Sequence, residues 1–138
     1  NGMQDSVHVR EIDWGDCAEF FEEEEHIDLV IGSELIYTKE TGDACTAFVQ
    51  TIFDRYPTCA VLIVQVVDRF GWEEIFMPSI QRKRADGKEL VVKKIDISLE
   101  LHDVAAQMVQ PGGTLDLSAF GAVLIRRADR QQRVIGEI

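Results

Sequence analysis

One segment, Cys59–Val67, constrains the fold of this chain more than any other part of the sequence. It is an almost uninterrupted run of apolar residues, many of them β-branched. Such a run is typical of a central strand that is covered on both faces, as in a parallel sheet. The shorter run Asp28–Ser33 has the same character and stops at small residues. We therefore expect two buried parallel strands, at Asp28–Ser33 and at Cys59–Val67.

Amphipathic stripes lie between and after these two strands. Apolar residues recur at helical spacing from about Glu40 to Tyr56, and Pro57 ends the stripe. This spacing predicts a helix, because the residue before a proline avoids helical backbone angles. A second stripe runs from Trp72 to Ile80 with Pro78 inside it. Proline either breaks that helix or begins it, since the first turn needs no N–H donor there.

The remaining elements are shorter. Alternation of apolar and polar residues predicts strands at Val7–Ile12 and Val91–Leu99, the latter near a sheet edge because Lys93 interrupts its apolar side. A helical stripe covers Leu101–Val109, and Phe120–Ile125 is expected to be the last strand. Strands that alternate with helices predict an α/β fold with a mainly parallel sheet.

Composition narrows the function classes. The 138 residues suit one domain, and no apolar run approaches the roughly 20 residues that cross a membrane. Lys and Arg number 14 against 25 Asp and Glu, a net charge of −11. This balance argues against a nucleic-acid partner, which favours basic proteins. It suits a basic protein partner, although acidic balance also simply keeps proteins soluble.

Cysteine and histidine indicate no metal site. The three cysteines are widely spaced without a C-x-x-C pair, and no two of the three histidines stand at ligand spacing. Unpaired cysteines suit a reducing compartment. We therefore expect a cytoplasmic protein, with the nucleus as the alternative.

Candidate site residues follow the predicted strands. Ligands of open α/β sheets bind beyond the carboxyl ends of the strands, so the polar and aromatic residues there are the candidates. Asp68 and Arg69, after the third strand, are expected to form only an exposed ion pair. The candidates after the first two strands are Asp13, Trp14, Gly32, Ser33, Glu34 and Tyr37.

Two patches of the sequence resemble a known family. The patch Glu11–Gly15, followed after an acidic loop by Asp28–Tyr37, resembles the seven-β-strand S-adenosylmethionine-dependent methyltransferases. The resemblance is closest to the non-histone protein lysine methyltransferases. Their [D/E]-x-x-[Y/F] motif is matched by Glu34-Leu35-Ile36-Tyr37, and their Trp-Gly pair by Trp14-Gly15. The similarity extends over roughly residues 7–127, although its specific motifs occupy only these two patches.

The resemblance implies a cofactor, a substrate and a role for each residue. It implies S-adenosylmethionine as cofactor, with its adenine ring stacked on Trp14 and the adenine amino group beside Asp13. The cofactor would approach the backbone closely at Ser33, because the side chain there is small. The substrate would be a protein with an exposed lysine. Glu34 and Tyr37 would attract and orient the lysine amine, the ring by a cation–π contact. Catalysis would then be mainly positioning.

The sequence also departs from the family pattern. The glycine-rich cofactor loop after the first strand and the acidic residue after the second are absent, and the chain starts at Asn1 rather than Met. We therefore expect one partial domain over residues 1–138. It would be the C-terminal part of a Rossmann-like methyltransferase sheet, with equivalents of strands 3–7 and an antiparallel last strand.

Two further expectations follow from that interpretation. The isolated chain should bind S-adenosylmethionine weakly and be inactive alone. The edge of Asp28–Ser33 should be covered by self-association or by Val7–Ile12 folding back, because a bare apolar edge is an association site. The alternative function is a catalytically inactive acidic α/β module that binds a basic protein.

Overall fold

Four strands and three helices make up the part of the chain that the structure describes. The computed structural model describes residues 7–22, 26–82, 87–96 and 119–128. A 3-10 turn at Trp14–Asp16 comes first, and a π-helical turn at Trp72–Phe76 precedes the last helix. The strands are β1 (Leu29–Ser33), β2 (Ala60–Val66), β3 (Leu90–Ile95) and β4 (Phe120–Arg127), and the helices are α1 (Ala18–Glu22), α2 (Lys39–Arg55) and α3 (Met77–Gln81).

The strands form one mixed sheet with the order β1-β2-β4-β3. β1 and β2 are parallel, with Ser33 beside Val64. β4 is antiparallel to both of its neighbours, β2 and β3. The expected α/β class, the parallel pair and the antiparallel last strand are confirmed. The order and directions of the four described strands are consistent with the expected Rossmann-like sheet.

One face of the sheet carries the core. The side chains of β2 alternate between buried and half-buried along the strand, and Val61 and Ile63 are buried on the core face. Ile125 and Val123 of β4 pair with these two residues and extend the buried surface. Helix α2 and the π-helical turn complete the core with the buried side chains Val49, Ile52, Phe53, Trp72 and Phe76.

Both predicted helices in the described part exist. The Thr38 side chain accepts a hydrogen bond from the Thr41 N–H at 3.3 Å and caps α2. The helix ends at Arg55, just before Pro57, as the proline rule requires. Pro78 lies in the first turn of α3, so the helix begins near the proline, and the residues before it form the π-helical turn.

One strand prediction is wrong, and so is the burial predicted for another strand. Val7–Ile12 forms neither helix nor strand, and Val9 is 95% exposed. Alternation alone forms no strand unless a neighbouring strand supplies backbone hydrogen bonds. Asp28–Ser33 was expected to be buried on both faces, yet Leu29 is 50% and Ile31 66% exposed. β1 is the edge strand of the described sheet, so Val7–Ile12 does not fold back beside it.

The far end of the chain is only partly described. β3 lies at the other edge of the sheet, as the interruption by Lys93 predicted. β4 matches the predicted last strand and extends two residues further. The predicted helix at Leu101–Val109 and the end of the predicted strand at Val91–Leu99 lie outside the described residues.

Candidate functional site

The segment that follows β1 is bound to the end of β2. The Glu34 N–H donates to the Val64 carbonyl at 2.9 Å, which continues the parallel pairing by one residue. The Glu34 carboxylate oxygen Oε1 accepts from the Val66 N–H at 2.6 Å. Glu34 has a φ of 53°, a left-handed conformation that costs a non-glycine residue about 1–2 kcal/mol. These two hydrogen bonds hold Glu34 in that conformation.

A buried glutamine holds the middle of the same segment. The Ile36 N–H donates to Gln65 Oε1 at 3.1 Å, and Gln65 Nε2 donates to the Ile36 carbonyl at 3.0 Å. Gln65 and Ile36 are both fully buried. Gln65 is not among the candidates predicted from the sequence. Its signal was available, since Gln65 is the one polar side chain inside the apolar run of β2.

Tyr37 lies at the exposed end of the segment. The Tyr37 N–H donates to Thr41 Oγ1 at 2.9 Å, so its backbone is fixed to the start of α2. Its side chain is 46% exposed. The Arg69 guanidinium carbon lies 5.4 Å from the Tyr37 ring centroid, within cation–π range.

The loop after β2 lies against the loop after β1. In the described residues no ion pair joins Asp68 to Arg69, so that expectation is wrong; Arg69 contacts the ring of Tyr37 instead. Gly71 has a φ of 96°, and a Cβ there would collide with the Thr38 carbonyl oxygen. The two loops therefore approach so closely that only glycine fits at position 71.

Asp13 and Trp14 lie beside α2. Asp13 Oδ1 accepts from the Gly15 N–H at 2.7 Å and caps the 3-10 turn. The Trp14 ring stacks on Phe48 of α2 with 6.1 Å between centroids and 29° between planes. A turn packed on α2 thus carries both residues, in place of the predicted strand end.

An apolar pocket of about 190 Å³ lies between Trp14 and β1. Gly32 of β1 contributes to its wall, and a Cβ at Gly32 would come within 2.5 Å of the Leu35 side chain. Ser33 is exposed at the end of the same strand. The other lining residues include Val30, Leu35, Cys45, Phe48 and Val49. A flat aromatic group fits such a lining, because it can stack on an indole and contact apolar side chains.

The structure therefore brings the candidates together in two places. Glu34 and Tyr37 share the segment after β1, with Gln65 and Arg69 as neighbours that the sequence analysis had not placed there. Trp14 and the end of β1 line the same pocket, and Asp13 caps the turn that carries Trp14.

The described residues also bear on metals and membranes. They contain no group of three or more His, Cys, Asp or Glu side chains placed to hold a metal ion. The thiols of Cys17, Cys45 and Cys59 are free and buried. Burial raises the pKa of the Cys45 thiol from 9.0 to about 12. In the same described ranges, no helix has the length and apolarity needed to span a bilayer.

Comparison with known proteins identifies the family. A family model described as lysine methyltransferase matches residues 1–83, which is more than half of the 138 residues. The matched range contains the Trp14 turn, β1, α2 and β2. The chain matches no curated protein and no solved structure. On the family match, this chain belongs to the lysine methyltransferase family.

Proposed function

We propose that this protein transfers a methyl group from S-adenosylmethionine to the side-chain amine of a lysine in a protein substrate. The observation that carries the proposal is the Glu34–Tyr37 segment. It is bound across the carboxyl ends of β1 and β2, and its exposed aromatic ring already has a cation over its face. The family to which the chain belongs supports the same reaction class.

The chemistry requires a neutral amine in line with an electrophilic methyl group. S-adenosylmethionine supplies that methyl group on a sulfonium sulfur. A lysine that arrives as an ammonium would first lose a proton to water. Its neutral nitrogen would then form the new N–C bond as the S–C bond breaks, which leaves the cofactor as a neutral thioether and the product as a methylated ammonium. Little covalent chemistry is left to the protein, so its contribution is orientation and exclusion of water.

Tyr37 and Glu34 are proposed to receive the lysine. The guanidinium of Arg69 shows that a cation is accommodated 5.4 Å from the Tyr37 ring centroid. Because Arg69 already covers one face of the ring, a lysine ammonium would gain its cation–π contact at the other face. The Glu34 oxygen Oε1 is bound to the Val66 N–H, so we assign its other oxygen, Oε2, to the amine. In this proposal Glu34 both holds the segment and attracts the substrate.

The cofactor is proposed to lie toward Trp14. The apolar pocket between Trp14 and β1 suits the adenine ring, and the exposed Ser33 and Asp13 are assigned to its polar groups. Asp13 Oδ1 already caps the Gly15 N–H, so Oδ2 is the atom assigned to the adenine amino group. We further propose that the 138-residue chain alone binds the cofactor weakly and is inactive, because its sequence lacks a glycine-rich loop after a strand.

A second candidate function is a catalytically inactive module that binds a basic protein. The net charge of −11 favours it, because it would attract a basic surface. In both candidates the partner is a protein rather than a nucleic acid or a membrane. We propose the cytoplasm, or else the nucleus, as the compartment.

One experiment separates the two candidates. The protein expressed from the complete gene is incubated with methyl-labelled S-adenosylmethionine and a library of short peptides with a central lysine. The enzyme hypothesis predicts label on the lysine nitrogen, and loss of label in Tyr37→Leu at unchanged melting temperature. Peptide binding with no label transferred would favour the binding module. The 138-residue chain is assayed in parallel, and the proposal expects it to transfer none.

A further inference from the structure

We infer that Gln65 is a positioning residue of this site, which holds the Glu34–Tyr37 segment in place from the neighbouring strand. The structural part of this inference rests on hydrogen bonds of the described residues. Its consequence for catalysis rests on the proposed function. Gln65 contacts neither the proposed lysine nor the cofactor, and it would act through the backbone of Ile36.

The contact is a reciprocal pair of hydrogen bonds to a single residue. Gln65 Oε1 accepts from the Ile36 N–H at 3.1 Å, and Gln65 Nε2 donates to the Ile36 carbonyl at 3.0 Å. The side-chain amide thus supplies a donor and an acceptor, as the backbone of a neighbouring strand would. Ile36 belongs to no helix or strand, so it has no backbone ladder to satisfy these groups.

The position of Gln65 indicates that its amide holds the Glu34–Tyr37 segment and is not needed for core packing. Val61 and Ile63 occupy the same face of β2, and apolar side chains suffice for packing there. A fully buried amide is costly to keep unless every hydrogen bond is made. Here the two shorter hydrogen bonds go to Ile36, the midpoint of the segment that carries Glu34 and Tyr37, and Nε2 also lies 3.5 Å from the Val66 carbonyl oxygen.

Adjacent contacts show that the segment is fixed at three successive points. Glu34 is bound to Val64 and Val66, Ile36 to Gln65, and Tyr37 to the Thr41 hydroxyl. The Gln65 contact is buried, whereas the side-chain bond of Glu34 is part-buried and that of Thr41 is exposed, so the Gln65 contact is better shielded from water than these two. Loss of this contact would leave Tyr37 displaced or mobile while β2 keeps its ladder to β4.

The test compares Gln65→Met with Val123→Ala in the protein expressed from the complete gene. Methionine keeps the approximate length and volume of glutamine and removes both hydrogen-bonding groups. Val123 is a buried core residue of β4 and does not line the Trp14 pocket. Val123→Ala therefore controls for a general loss of stability, and both variants are assayed at temperatures equally far below their melting temperatures.

Two readouts follow the segment itself. In the wild type, the Ile36 amide and the Gln65 side-chain amide protons should exchange slowly with solvent, although Ile36 lies outside regular secondary structure. In Gln65→Met the Ile36 amide should exchange at least about tenfold faster than in Val123→Ala. Rapid exchange of either group in the wild type would overturn the inference, even if Gln65→Met fails to fold.

The third readout is methyl transfer to the lysine-centred peptides. Gln65→Met should lower kcat by about 10- to 100-fold relative to Val123→Ala, because misplacing a positioning group is costly. The KM for S-adenosylmethionine should change less than about twofold, since the pocket at Trp14 is untouched. Equal losses of kcat in the two variants would contradict a positioning role. If the wild type transfers no methyl group, the proposed function fails, and the exchange readouts still decide whether Gln65 holds the segment.

Discussion

Glu34 combines a structural contact with a proposed substrate contact, and two substitutions separate them. Glutamine at position 34 keeps an oxygen that can accept from the Val66 N–H, but it loses the negative charge. Alanine loses both the acceptor and the charge. Comparison of Glu34→Gln with Glu34→Ala therefore assigns the effect on stability and the effect on activity to different properties of one side chain.

The magnitudes follow from the contact geometry. The 2.6 Å bond between Val66 N–H and Glu34 Oε1 is charge-assisted, and such bonds contribute about 1.5–3 kcal/mol. Glu34→Ala removes this bond and should lower the free energy of unfolding by about 2 kcal/mol. The left-handed conformation at φ 53° is as strained for alanine as for glutamate, so relief of strain does not offset the loss. Glu34→Gln keeps a neutral hydrogen bond and should cost about 1 kcal/mol or less.

The assay is thermal unfolding measured beside methyl transfer in the protein expressed from the complete gene. For a domain of this size, about 2 kcal/mol corresponds to a melting temperature lower by roughly 6–10 °C. We expect that decrease for Glu34→Ala and a decrease of at most about half as much for Glu34→Gln. Activity should fall strongly in both variants. Full activity in Glu34→Gln would refute a role for the charge, and equal melting temperatures in the two variants would refute the structural role.

Three further predictions follow from the same contacts. Gly71→Ala should lower the free energy of unfolding by at least about 2 kcal/mol in urea titration, because φ is 96° and the new Cβ would meet the Thr38 carbonyl; an unchanged midpoint would contradict this. The Cys45 thiol, with its pKa raised to about 12, should resist alkylation at pH 8. The folded state keeps the thiol proton, whereas the unfolded chain releases it near pH 9. The free energy of unfolding should therefore fall as pH rises from about 9 to 12, by comparison with Cys45→Ala. The same pH dependence in the wild type and in Cys45→Ala would contradict the burial effect. The 138-residue chain should self-associate through the edge of β1 that pairs with no described strand. The Ile31 N–H should be protected in the associated state and exchange freely on dilution, and a monomer at all concentrations would contradict this.

The choice of Ile31 as reporter follows from strand geometry. The Glu34 N–H and the Asp28 carbonyl both bond to β2. Because bonding direction alternates along a strand, the Val30 N–H also faces β2 and the Ile31 N–H faces the open edge. Val30 is therefore the internal control for the self-association experiment, since its protection should not depend on concentration.

Elements whose signals are local could be predicted from the sequence. Helix α2 has its cap at Thr38, its stop at Pro57 and its apolar stripe within one continuous segment. Strand β2 is recognised because β-branched apolar residues occupy both of its faces. The family resemblance rested on two short motifs, Trp14-Gly15 and Glu34–Tyr37, and the family match covers both.

Features that depend on distant partners could not be predicted. Val7–Ile12 has the alternation of a strand, but among the described residues no strand pairs with it. The exposure of Leu29 and Ile31 depends on what packs over β1. Gln65 bonds Ile36 across 29 positions, and Glu34 bonds Val66 across 32. Residue types alone do not specify such pairings, because many other polar groups could satisfy the same donors.

The most direct test of the central claim is identification of the atom that receives the methyl group. The protein expressed from the complete gene is incubated with methyl-labelled S-adenosylmethionine and the lysine-centred peptides, and the products are mapped by mass spectrometry. The account predicts label on the lysine side-chain nitrogen, abolished by Tyr37→Leu while the melting temperature is unchanged. Absence of any label, or label on a residue other than lysine, would contradict it.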